Sequence, residues 1–132
     1  MRLEHLAFNV ADPVAVARWY AEHLRLTLIR DYGPPLHAHF LASGPGQPML
    51  EFYHNPADAV PDHAALSPVR HHIAFVVDDL VAEHARLLAA GCIRVDEPVT
   101  NAAGDMLVFL RDPWGLALQL VRRRTSLLGG SS

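Results

Sequence analysis

With 132 residues, 51% of them hydrophobic and 19% charged, the chain has the size and composition of one globular domain and can bury a core. A formal charge of −3 provides no basic field for a polyanion, which argues against a nucleic-acid partner, and no apolar run approaches the ~18 residues of a membrane span. The single cysteine, Cys92, excludes an internal disulfide framework and fits a reducing cytoplasm, and the first residues lack a signal-peptide core.

Leu3 to Val10 alternates, with Leu6, Phe8 and Val10 on one face and His5, Ala7 and Asn9 on the other. That period predicts a half-buried strand. Asp12-Pro13 supplies an N-cap and a proline at the first helical position, and Val16, Tyr20 and Leu24 recur every fourth residue, predicting a helix of about three turns. Strands follow at Leu26 to Asp31, Leu36 to Ala42 and Met49 to Tyr53, separated by Gly33-Pro34-Pro35 and Ser43-Gly44-Pro45-Gly46. Residues 55–70 carry prolines and no period, and read as a linker. His72 to Val77 then restarts the pattern. Asp78-Asp79 caps a helix bearing Leu80, Leu87 and Leu88, and Gly91 stands where a left-handed cap is wanted. Ile93 to Asp96, Met106 to Arg111 and Leu116 to Val121 read as strands, with Asp112-Pro113-Trp114-Gly115 as a tight turn. Residues 122–132, with Arg122-Arg123-Arg124, read as a solvated tail.

The two halves echo each other. His5-Leu6-Ala7-Phe8-Asn9-Val10 returns 67 residues later as His72-Ile73-Ala74-Phe75-Val76-Val77, and the segment around Glu51 returns 68 residues later around Gln119. One supersecondary unit used twice predicts an α+β domain of two tandem βαβββ modules, at residues 3–54 and 71–121. Each makes a mixed sheet with a helix on one face and a concave cleft on the other. Strand parity sends His5, Glu51 and Tyr53 into the cleft, with His72 and Gln119 at matching positions.

Two imidazoles and a carboxylate suit zinc, iron(II), manganese, nickel or cobalt, and an amide oxygen is a weak neutral donor. His5, Glu51, His72 and Gln119 are therefore the candidate ligands of a divalent metal with open coordination positions. A metal-free cleft, in which these groups hydrogen-bond one another, is the bland alternative. Asn9, His39, Tyr53 and Arg111 are candidate substrate contacts, His39 on condition that its strand face is the concave one. His71 falls out of phase, and His23, His54, His63 and His84 are expected to face solvent.

The repeated His-strand-capped-helix pattern, with Asp112-Pro113-Trp114-Gly115 before the final strand, resembles the vicinal oxygen chelate superfamily of glyoxalases, bleomycin resistance proteins and extradiol dioxygenases. The resemblance spans about residues 3 to 121. It implies paired βαβββ modules, metal ligands on the first and fourth strands of each, and commonly a homodimer acting on a small molecule with neighbouring oxygens. Gln119 departs from the usual glutamate of the last strand, and glutamine cannot accept a proton. The reading that follows is a lyase or isomerase in which the metal stabilises an enolate and Glu51 moves the proton. Iron(II)-dependent ring cleavage and non-catalytic sequestration of a small molecule are the alternatives.

Overall fold

The computed structural model describes residues 1–129, so the last three residues of the expected tail lie outside the described residues. The chain divides into two compact units, Met1–Pro61 and Asp62–Ser132.

The first unit runs β1 (His5–Asn9), α1 (Pro13–His23), β2 (Thr27–Asp31), β3 (His39–Ala42) and β4 (Met49–Tyr53). Its sheet has the order β1-β4-β3-β2, with β1 parallel to β4 and the other neighbours antiparallel. Asp12 caps α1 through its side chain, which accepts from Ala15 N at 3.1 Å. The helix buries Val16, Ala17, Trp19 and Tyr20. Tyr20 meets Phe52 with ring centroids 4.6 Å apart, so Phe52, and Phe8 beside it, define the helix-covered face. Leu6 departs from the expected stripe: it stays 47% exposed at the sheet edge, while Phe8 and Val10 are buried as predicted.

Three strand starts in this unit are later than the sequence suggests, β1 opening at His5 rather than Leu3. Arg25 takes a positive φ of 58°, so β2 begins at Thr27. Before β3, residues 34–36 turn and His37 adopts a φ of 49°, leaving only His39–Ala42 in the ladder.

The second unit runs β5 (Ile73–Val76), α2 (Leu80–Ala89), β6 (Ile93–Arg94), β7 (Val99–Thr100), β8 (Met106–Arg111) and β9 (Ala117–Arg122), preceded by a short 3-10 turn at His63–Ala65. The order is β5-β9-β8-β6, with β7 pairing the other end of β8 and β5 parallel to β9. β6 and β7 are thus one interrupted strand in the place that β2 holds in the first unit. Pro98, which cannot donate to a ladder, lies in the gap, and Asp96 Oδ1 accepts the otherwise unmatched Phe109 N–H at 2.8 Å. This corrects the single strand expected at Ile93 to Asp96. The α+β class and its mixed sheets are as read from the sequence.

Asp79 caps α2 by accepting from Ala82 N at 3.1 Å, and Gly91 closes it at φ 108°. The buried stripe is Leu80, His84 and Leu87. His84 therefore sits in the core, contrary to the expected solvent-facing position. Asp112 is also buried and organises its turn, its Oδ1 accepting from Trp114 N and Leu116 N, each at 2.9 Å. The arginine run is only partly a tail. Arg122 ends β9, and Asp105 holds Arg123 in an ion pair of 2.9 Å and accepts from Arg124 N.

Candidate metal and substrate site

Parity on β1 and β4 decides what the uncovered face of the first sheet carries. In the parallel register His5 lies beside Met49, Ala7 beside Glu51 and Asn9 beside Tyr53. Across the antiparallel pair Phe40 lies beside Glu51. His5, Glu51, Tyr53 and Phe40 thus share the face turned away from Phe52 and α1, as expected for the first three.

His5 and Glu51 come together there. Nε2 of His5 stands 3.4 Å from Oε1 of Glu51, and its Nδ1 stands 2.8 Å from Oε1 of Glu4. An ionised carboxylate only accepts, so in a neutral His5 Nδ1 carries the hydrogen toward Glu4 and Nε2 is left with its lone pair, 3.4 Å from the Glu51 oxygen. A positive centre beside Nε2 would make that approach attractive. Either a proton on Nε2 or a bound cation provides it. Bonds of ~2.0–2.1 Å in a tetrahedral zinc-type site place adjacent donor atoms ~3.4 Å apart, so the pair has the spacing of two ligands on one ion. Phe40 packs its ring edge-on against the imidazole, with centroids 5.5 Å apart, and restricts its rotation.

In the second unit the same logic applies to His72. Its Nδ1 lies 2.6 Å from the Pro68 carbonyl oxygen, which also only accepts, leaving Nε2 as the donor atom. The ring packs edge-on against Phe109, 5.0 Å between centroids. Phe109 is the register partner of Gln119, and Ala74, two residues beyond His72, is Gln119's partner on the other side. His72 and Gln119 therefore share a sheet face. A metal-ligating histidine characteristically donates its second nitrogen to a carboxylate or carbonyl, and both histidines do. In each unit by itself, the donor types, imidazole with carboxylate in the first and imidazole with amide in the second, are ones a divalent ion accepts. Among the described residues no group of three His, Cys, Asp or Glu is gathered at one point.

The remaining candidates differ in their partners. His39 is the register partner of Phe52, so it lies on the helix-covered face, buried, with Nδ1 2.6 Å from the His37 carbonyl; the condition attached to it is not met. Asn9 holds the segment after β4, its Oδ1 accepting from Asn55 N at 3.1 Å and its Nδ2 donating to the Ala59 carbonyl. Arg111 shares the Gln119 face, but its guanidinium donates to the carbonyls of His63, Leu66 and Gly115 within its own unit. Tyr53 is half-buried beside Glu51. Burial, and then the Asp112 charge, push the Cys92 thiol up to about 12, so it is no nucleophile at neutral pH.

Sequence reasoning missed Glu4 and Phe40. Glu4 precedes the strand and is legible only as the neighbour of a candidate ligand histidine; Phe40 needed the β3–β4 register.

The sequence matches the family model described as the Glyoxalase/Bleomycin resistance protein/Dioxygenase superfamily over residues 2–120. The chain belongs to that superfamily. Solved structures with the same fold include a glyoxalase I mutant from Zea mays, with a TM-score of 0.77 and 24% identity, covering 94% of this chain and 46% of that one. A glyoxalase family protein from Enterococcus faecalis has a TM-score of 0.71 and 24% identity, over 92% of this chain and 97% of that one. A glyoxalase/bleomycin resistance protein/dioxygenase family enzyme from Burkholderia phytofirmans PsJN has a TM-score of 0.74 and 16% identity, over 92% and 98%. No curated protein matches the sequence.

Proposed function

We propose that this superfamily member is a metal-dependent lyase or isomerase acting on a small molecule with neighbouring oxygens. His5 and Glu51 would hold the ion, with His72 and Gln119, of the same chain or of a second copy in a homodimer, as the further candidate ligands. The observation that carries this is the 3.4 Å approach of His5 Nε2 to Glu51 Oε1, with Nδ1 already committed to Glu4. When bound, the metal supplies Lewis-acid polarisation of the two substrate oxygens. Glu51 is the base of the set: its carboxylate would take a proton from the substrate carbon and return it. Gln119 cannot do so. Glu4 and Phe40 keep the imidazole in one orientation, and Tyr53 borders the carboxylate.

Among the described residues no helix is long and apolar enough to cross a membrane. We place the protein in the cytoplasm on its lone, buried cysteine.

A second reading takes its support from the same contact. With Nε2 protonated, His5 is an imidazolium held between Glu4 and Glu51, and the cleft binds a small molecule without metal or turnover. Titration with zinc(II) or cobalt(II) separates the two. The metal reading expects saturable binding that Glu51→Gln weakens at least about tenfold with the fold retained, while unchanged affinity in that variant contradicts it.

A further inference from the structure

Beside the His5–Glu51 pair, on the same sheet face, lies a cavity of about 270 Å³ lined by Glu4, Ile29, Arg30, Tyr32, Phe40 and Met49. Three of these are fixed there by register: Arg30 pairs with Phe40, Phe40 with Glu51, and Met49 with His5. Phe40 is common to both places, forming a wall of the cavity and touching the His5 ring. A molecule in the cavity is therefore next to the proposed metal ligands.

The lining has a definite chemistry. Phe40 and Tyr32 meet edge to face, 6.2 Å between centroids, and Ile29 and Met49 add aliphatic surface. Arg30 is the cation. Its Nη1 donates to the Tyr32 hydroxyl at 3.2 Å, which steers the guanidinium along the rim, and no carboxylate pairs with it among the described residues. The one acidic lining group, Glu4, is directed at His5 Nδ1. An aromatic and aliphatic pocket with one steered, uncompensated guanidinium suits an apolar body carrying a compact anion, which the planar fork grips through two parallel hydrogen bonds. The volume accommodates a single ring with a short acidic arm.

We infer that the cavity binds the substrate's apolar body and that Arg30 binds a carboxylate on it, so that the substrate is a small organic acid with an aromatic or branched aliphatic group. This rests on the proposed site for its direction but not for its test.

The probe is 3-phenylpropionate, titrated into metal-free protein and followed by tyrosine fluorescence and by chemical-shift changes. Saturable binding is expected, about tenfold or more weaker for Arg30→Gln, for 3-phenylpropanol in place of the acid, and for acetate in place of the whole probe. Arg30 is exposed, so its variant keeps the fold. Absence of saturable binding at millimolar concentrations, or equal binding by Arg30→Gln or by the alcohol, overturns the carboxylate assignment. Equal binding of acetate overturns the apolar one. Zinc titration of the same samples keeps the two readings apart. Metal uptake without 3-phenylpropionate binding removes this inference and leaves the metal site; 3-phenylpropionate binding by a protein that takes up no metal does the reverse.

Discussion

Both ring nitrogens of His5 lie near carboxylates, Nδ1 at 2.8 Å from Glu4 and Nε2 at 3.4 Å from Glu51. Removing the outer partner tests its role. Glu4→Ala is expected to weaken zinc affinity by about 10–100-fold without altering the far-ultraviolet circular dichroism, the effect of losing an orienting partner from a ligand histidine. Affinity equal to wild type would show that Glu4 is only a solvated neighbour. For Glu51→Gln the expected outcome is loss of substrate-proton exchange with solvent, checked by deuterium incorporation, because an amide cannot take the proton. Strand alternation was enough to put His5, Glu51 and Tyr53 on one face. It was not enough for His39, because a left-handed residue at His37 resets the phase before β3 and leaves that imidazole with Phe52 on the covered side.

At the scale of elements, the capped helices were the most legible parts. Asp12-Pro13 and Asp79 carry their signal in adjacent residues and need no tertiary partner. Asp79→Ala is expected to cost about 1 kcal/mol in urea unfolding, with no effect on metal affinity. The interrupted strand was not legible, because a two-residue segment such as Val99–Thr100 has no period of its own and exists by pairing with Leu107 and Met106. The turn after β8 shows a third situation. Gly115 holds a φ of 99°, and a Cβ there would stand 2.8 Å from that of Ala64. Gly115→Ala is therefore expected to destabilise the second unit by about 1–3 kcal/mol through strain and crowding, read as a lower urea midpoint. The motif told of a turn, whereas the neighbour that makes glycine necessary comes from a segment 51 residues away.

For the whole molecule, acid sensitivity follows from His84. Its Nε2 is buried without a hydrogen-bond partner, and its pKa is lowered from the usual 6.5, first by desolvation and then by the Arg94 charge, against weaker raising by Glu97 and Asp96. The folded state thus favours neutral imidazole, while the unfolded chain takes up a proton near 6.5. The stability this residue gives is present above that pH and is lost as the pH falls from there toward the lower folded value. His84→Leu, matching Leu80 and Leu87 in the stripe, is expected to be more stable by about 1 kcal/mol at neutral pH. Its advantage should widen on acidification, as measured by urea midpoints along a pH series; a constant difference would contradict the assignment.

Duplication made the βαβββ plan legible as a whole, since a repeated strand-and-cap pattern constrains both copies at once. Whether the two proposed donor pairs are ligands at all is a question for measurement. The most direct measurement is therefore elemental analysis of the protein as purified, beside His5→Ala and His72→Ala prepared in the same way. A divalent metal in the native protein, lost from both variants while their circular dichroism is unchanged, is the predicted result. A native protein that neither carries nor takes up a divalent metal, or variants that retain it in full, would contradict the assignment of these residues as ligands.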